Sequence, residues 1–190
     1  MLKDVTVVVI NREVETPYMT LKSLAHQTVP LDVVVVYDEG RGANWARNQG
    51  AALVQSELVI FSDNDIVWES DALEMLQATL AKHPQASYAY GWYMMEGQTY
   101  CRQPFDANLL RHTNFISTMS LLHRRDFPGF DETIERLQDW DLWLTLLAQG
   151  KTGVYCDHQI FTTSVRPGIT FGQGISWEEA RRKVMRKHSL

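Results

Sequence analysis

With 190 residues, 45% of them hydrophobic and 22% charged, the chain is long enough to bury a sizeable core and is ordinary for one globular domain spanning 1–190. Its net charge of −5, from 18 basic and 23 acidic residues, argues against a general nucleic-acid binder, and no apolar run approaches the roughly 20 residues of a membrane span. Nor does the chain start with a basic stretch leading into a long apolar core, so a cytoplasmic location is expected, with Cys101 and Cys156 reduced.

Val5 to Ile10 is a β-branched run that reads as a buried strand, and Asn11-Arg12-Glu13 opens a polar loop at its end. Thr16-Pro17 reads as a helix cap and first helical position, with Leu21 and Leu24 on the inner face. Val33 to Val36 is a second all-apolar strand that ends in Tyr37-Asp38-Glu39. Gly40-Arg41-Gly42 then turns the chain into a helix over 43–54, with Ala46, Leu53 and Val54 available for burial.

Leu58 to Ser62 is the third strand, and its run without alternation suits burial on both faces of a parallel sheet. The polarity then reverses in Ser62-Asp63-Asn64-Asp65, at the strand end where open α/β sheets bind ligands. In extended backbone Asp63 and Asp65 point to one side, roughly 6 to 7 Å apart. Their charges repel by about 2 to 3 kcal/mol at an effective dielectric near 20. A hard divalent cation, Mg²⁺ or Mn²⁺, would join them, whereas an acidic turn bonded to its own backbone fits the same spacing.

Three strand-loop-helix steps imply right-handed crossovers and a parallel sheet. Ser70 or Asp71 caps a helix bearing Leu73, Leu76 and Leu80, which stops near His83-Pro84. A fourth, aromatic strand runs from Ala86 to Met95, and Glu96 to Asn114 reads as a loop or small hairpin on the ligand side. Ile116 to Leu122 reads as a strand, Gln138 to Ala148 as a strong helix, and Thr152 to Cys156 as a last short strand. Thr162 to Gly174 is a Gly-rich loop, and Ser176 caps a basic terminal helix. Arg181, Arg182, Lys183, Arg186 and Lys187 leave the preceding 180 residues at −10; a solvated helix end or a weak contact with an anionic surface accounts for this tail.

The order of these pieces resembles a family 2 glycosyltransferase of the GT-A fold over nearly the whole chain. The segments that carry the resemblance are Ser23 to Thr28, Asp38, Ala46-Arg-Asn-Gln-Gly50, the Asp-x-Asp of Phe61 to Asp65, Phe127 to Glu132, and Gln138-Asp-Trp-Asp-Leu-Trp143. The resemblance implies a Rossmann-like, mostly parallel sheet flanked by helices, with a small acceptor-side subregion. The nucleotide-sugar half would be 1–95, the acceptor and catalytic half 96–176 and the basic helix 177–190. It implies a hexosyltransferase-like enzyme that moves a sugar from a nucleotide-diphosphate sugar to an acceptor hydroxyl, with inversion and with Mn²⁺ or Mg²⁺ as cofactor. The acceptor, whether saccharide, lipid-linked glycan, protein or nucleic acid, stays open.

On this resemblance Asp65 holds the cation, and Asp63 is shared between ribose and metal. Asn11 and Asp38 lie on the nucleotide side, Arg47 reaches base or phosphate, and Asp139 is the general base that takes the acceptor's proton. Asp139 also suits a helix cap, Asp141 reads as structural, and Trp140 or Trp143 could platform a sugar ring or lie in the core. Three features depart from the family pattern. No Pro-Thr/Ser-Tyr-Asn follows the first strand, an amide stands at Gln138 where relatives carry an acid, and Thr163-Ser-Val-Arg166 replaces a late Tyr-Arg-x-His run. Arg166 cannot ligate a cation, yet its fork suits the donor diphosphate, and His158 is an alternative ligand. Two other readings are a nucleotidyltransferase, which would want a Gly-rich basic loop after the first strand, and a sugar-nucleotide-binding module with altered catalysis.

Overall fold

The computed structural model describes residues 4–12, 17–164 and 175–190. Val5–Asn11 (β1) pairs in parallel with Asp32–Tyr37 (β2) on one side and with Leu58–Ser62 (β3) on the other, so Val7 stands between Val33 and Ile60. Successive side chains leave a strand on opposite faces. Val5, Val7, Val9, Leu58 and Ile60 therefore enter one apolar layer, while Val8, Val59 and Phe61 enter the other. Burial on both faces explains why these runs show no polar alternation. At the sheet edge β2 is less protected, and Val33 and Tyr37 are exposed.

Tyr18–Leu24 (α1) and Ala72–Lys82 (α3) cover the first layer, through Leu24, Leu73, Leu76 and Leu80. On the opposite layer lie Gln138–Ala148 (α5), with Trp140, Leu142, Trp143 and Leu146, and Trp177–Lys187 (α6), with Val184. Ala43–Leu53 (α2) packs closely on β1. Leu53 faces solvent at 63% exposure, against the expected burial, and Gly50 and Ala46 make the close approach instead. A Cβ on Gly50 would stand 2.2 Å from Val8 Cγ1 and 3.2 Å from Val36 Cγ2. Both neighbours are β-branched and stiff at χ1, so the helix must lift. Gly50→Ala is expected to destabilise the chain by about 2 kcal/mol, even after the gain in helix propensity. Thermal denaturation reads this as a fall of roughly 4 to 8 °C, and an unchanged midpoint would show that the contact relaxes freely.

The remaining strands are Val67–Trp68 (β4), Tyr88–Met95 (β5), Gln98–Tyr100 (β6), Leu121–His123 (β7) and Gly153–Thr163 (β8). The sheet order is β2-β1-β3-β7-β5-β8-β4, with β6 added to β5. Five strands, β1, β2, β3, β5 and β8, share a direction, while the short β4, β6 and β7 oppose it. The sheet is thus mixed rather than mostly parallel, because β7 inserts antiparallel between β3 and β5. Of the expected 116–122 strand only Leu121 and Leu122 pair, in a strand that runs one residue further to His123. Upstream of it, Ser120 bonds back to Ser117 and Thr118, which bends the chain away from the ladder.

One other boundary differs from expectation. The last strand runs to Thr163 rather than Cys156, since its whole length finds β5 as a partner. The Glu96-Gly97 turn joins β5 to β6 with positive φ at both residues, 49° and 76°, the two-residue hairpin geometry that matches strand twist. After it, Ala107–Leu110 (α4) is capped by Asp106, whose carboxylate accepts from the Asn108 and Leu109 amides.

Candidate active site

The shared direction of five strands brings their carboxyl ends to one rim. There Asn11 ends β1, and Asp38 and Asp63 follow β2 and β3. Asn11 is buried, and its Oδ1 accepts from Asn64 Nδ2 at 2.7 Å, tying the acidic turn after β3 to β1. Asp38 Oδ1 accepts from the Gly40 amide at 3.0 Å, and the Asp38 amide donates to the Asn11 carbonyl at 3.0 Å. Asp38 therefore shapes the turn into α2 through a side-chain bond two residues along.

Arg47 projects from α2 beneath this rim and is only 2% exposed. Its Nη2 donates to Asp63 Oδ1 at 2.8 Å, its Nη1 to Asn44 Oδ1 at 3.2 Å, and its guanidinium lies 5.2 Å from the Phe130 ring centroid. Asn44 is fixed in turn by the Asp131 and Ile134 carbonyls. One carboxylate of the Asp-x-Asp pair thus stands on a buried cation, with its side chain still 39% exposed. Asp65 is half-buried, and its carbonyl accepts from the Thr163 hydroxyl at the end of β8.

Asp63, Asp65 and Asp139 line one cleft of about 570 Å³. Asp139 sits in the first turn of α5, whose start is fixed by Leu137 in the left-handed region at φ 61°. That conformation costs a bulky residue about 1 kcal/mol or more and persists where its surroundings enforce it. The expected cap at Asp139 falls two residues later than the observed one, at Leu137. Even so, Asp139 Oδ1 accepts from the Trp140 amide at 2.8 Å, and Oδ2 accepts from Asn114 Nδ2 at 2.8 Å. Burial pushes the Asp139 carboxyl up from its ordinary value, against the Trp140 amide, the nearby Arg47 charge and the Asn114 amide, which all hold it down. The outcome is a fixed carboxylate with enhanced basicity.

Both tryptophans of α5 belong to the core. Trp140 donates to the Leu110 carbonyl, and Trp143 donates to the Ile116 carbonyl and stacks on Tyr88 at 4.4 Å, so neither offers a face to the cleft. Asp141 is buried between Lys187 Nζ and His188 Nε2, each at 2.8 Å, and fastens α6 to α5. Lys187 also holds the Asp131 carboxyl down at about 2. Lys183 bonds the Thr133 carbonyl, so part of the basic tail is engaged within the chain. His158 Nε2 meets Asp71 Oδ1 at 2.9 Å and is absent from the cleft lining. Arg166 lies outside the described residues.

Several cleft residues escaped the sequence reading: Asn114, which orients Asp139, and Tyr93, Tyr100, Ser117 and Trp177. The aromatic richness of 88–93 hinted at Tyr93, and the ligand-side reading of Glu96 to Asn114 at Tyr100 and Asn114; nothing in the sequence singled out Ser117 or Trp177. As for a metal, two carboxylates on a polar cleft suit Mg²⁺ or Mn²⁺, which bind through one or two acids and keep other oxygens. Among the described residues no group of three or more His, Cys, Asp or Glu side chains is placed to hold an ion alone. No helix among the described residues is long and apolar enough to cross a membrane.

Comparison with solved structures gives the 1–349 piece of S. aureus TarS in complex with UDP-GlcNAc at a TM-score of 0.79 and 17% identity, covering 98% of this chain and 65% of that one. The same piece in complex with UDP gives 0.72 and 17%, covering 96% and 63%. A further TarS structure gives 0.73 and 14%, covering 98% and 39%. This chain thus spans between 39% and 65% of the length of those proteins, and the likeness establishes the GT-A fold. No curated protein sequence matches it. The profile described as "Glycosyl transferase family 2" matches residues 4–132, which carry the Arg47, Asp63 and Asp65 segments and stop short of Asp139. By that match over most of its length, the chain belongs to glycosyl transferase family 2.

Proposed function

We propose that this chain is a glycosyltransferase that moves a sugar from a nucleotide-diphosphate sugar to an acceptor hydroxyl with inversion, using Asp139 as general base. The observation that carries the reading is the gathering of Asp63, Asp65 and a burial-activated Asp139 around one cleft. Asn11 and Asp38, on the neighbouring strand ends, serve the nucleoside. Asp63 and Asp65 serve the diphosphate together with Mn²⁺ or Mg²⁺. When bound, that cation would offset the negative charge that grows on the leaving diphosphate. Arg47 fixes Asp63 from below and lends positive charge to the same region.

Asp139 accepts the proton of the acceptor hydroxyl as its oxygen attacks the anomeric carbon. The new glycosidic bond forms while the bond from that carbon to the phosphate oxygen breaks, and the pair of electrons leaves with the nucleoside diphosphate. Asn114 and the Trp140 amide keep the carboxylate aimed throughout, which is what a positioned base requires. The TarS complexes with UDP and UDP-GlcNAc make uridine nucleotide-sugars the first donors to test.

The test is a panel of nucleotide-sugars, with UDP-GlcNAc among them, assayed by melting temperature and by release of free nucleotide with Mn²⁺ or EDTA. A donor at a hundredfold its Kd is expected to add about 2.7 kcal/mol of stability. Nucleotide should also be released in the presence of the ion. A protein that binds a donor yet never releases nucleotide would instead be a binding module. One that gives neither response would refute the proposal.

A further inference from the structure

We propose that the aromatic wall of this cleft is an acceptor subsite for an uncharged saccharide, formed by Tyr93 and Tyr100 of the β5–β6 hairpin with Trp177 of α6. This rests on the glycosyltransferase reading above. Tyr100, Tyr93 and Phe161 come from three neighbouring strands at paired positions, Tyr93 opposite Tyr100 and opposite Phe161. Their rings form a nearly parallel ladder, with centroids 5.3 and 4.5 Å apart and planes inclined by 16° and 12°. Phe161 is fully buried and anchors the ladder, while Tyr93 and Tyr100 are half-buried and line the cleft.

Trp177 lines the same cleft yet is 48% exposed, unusual for the largest apolar side chain. It opens α6, whose start is locked by a capping box between Ser176 and Glu179. Tyr93 has its ring faces covered by Tyr100 and Phe161 and backs the wall, so the outer face of Tyr100 and the Trp177 ring are what the C–H face of a sugar can meet, and the sugar's hydroxyls in turn need polar partners. Gln138 and Ser164, residues of the same lining whose side chains are not buried, offer such partners.

Charge selects between kinds of acceptor. On the reading above, Asp63 is matched by Arg47 and shares the donor diphosphate's cation with Asp65, which leaves Asp139 as the lining carboxylate that faces an acceptor; the Arg181 guanidinium lies 6.0 Å from the Trp177 ring, and Arg136 donates to the Ile175 carbonyl. A phosphate-bearing acceptor would be pushed back by the Asp139 carboxylate as it nears the base, while a neutral glycan meets none of that repulsion. The wall and the base line the same cleft. The Asp139 charge adds to burial in pushing the Cys101 thiol up to about 12, and it acts in the same sense on the Tyr93 phenol.

The experiment uses the full chain with Mn²⁺ and the donors of the UDP-sugar panel, offering cellotriose, chitotriose and maltotriose alongside their 6-phosphorylated forms. A neutral glycan is expected to speed nucleotide release by about tenfold over water, and its phosphorylated form by less than about twofold. Tyr100→Ala and, separately, Trp177→Ala should each raise the KM for that glycan about tenfold. Tyr100→Phe, which keeps the ring, should return it to within about twofold. A preference for the phosphorylated forms, or a KM that neither truncation moves, overturns the assignment. Nucleotide release in water that no neutral glycan accelerates does so too, and leaves the glycosyltransferase reading standing. A wild-type chain releasing no nucleotide under any condition removes that reading and this one together.

Discussion

Asp139→Asn is expected to lower turnover by about a thousandfold, the range of a lost general base, while donor affinity stays within a few-fold. The amide keeps the size and planar shape of the carboxyl and can still accept from the Trp140 amide. What it cannot do is take a proton. The pH dependence gives an independent reading of the same group. Burial raises the Asp139 carboxyl above the ordinary value of about 4, so the acid limb of kcat/KM should lie above that value, with activity lost as pH falls through it.

The sign for stability is opposite. A carboxyl raised in the folded state binds its proton more tightly there than in the unfolded chain, so ionising it subtracts stability. That cost is absent below the unfolded value and complete above the folded one. At pH 8 the Asn variant sheds that cost but sets its NH₂ against the Asn114 NH₂ that bonded Oδ2, so the two effects oppose and its melting temperature should stay within a few degrees of the wild type while turnover falls. Steady-state kinetics from pH 4 to 9, with melting curves on both proteins, would check this. A variant that keeps a tenth of the turnover would show that Asp139 serves the structure rather than the proton transfer.

Which parts of this arrangement the sequence could reveal follows from how far apart the interacting residues lie. Val5 to Ile10 and Leu58 to Phe61 announce themselves because burial on both faces removes alternation within a single run. Asp38, Asp63 and Asp65 stand out because polarity reverses where a run ends, and strands sharing a direction then bring those ends together. The pairing of Arg47 with Asp63 was hidden, since a helix arginine looks the same whether it faces water or a carboxylate 16 residues on. Asn114 on Asp139 was hidden for the same reason, across 25 residues. Trp140 resembled a platform until the Leu110 carbonyl was found to take its indole proton. The short β7 could not be foreseen, because Ile116 to Leu122 has strand composition throughout and only the backbone bonds of Ser120 show where pairing begins.

The buried Arg47 also sets up a test in which stability and activity part company. Asp63→Ala should destabilise the chain by about 2 kcal/mol, less than the 3 to 5 typical of a broken, fully buried pair because Asp63 is partly solvated. The truncation strands a guanidinium that water barely reaches and whose Nε already has no partner among the described residues. For a chain of this size that is a fall of roughly 4 to 8 °C in Tm. Adding Arg47→Met to Asp63→Ala removes the stranded charge and sets a flexible apolar chain against Phe130, where the guanidinium now lies. Replacing both members of a buried pair is often neutral or stabilising, so most of the lost Tm should return in the double variant. Activity should not return, because the carboxylate assigned to the donor diphosphate is still missing. A double variant that melts as low as Asp63→Ala would mean that Arg47 does not depend on Asp63 for its neutralisation. Restored turnover would mean that Asp63 serves only to neutralise Arg47, and its place at the donor site would fall.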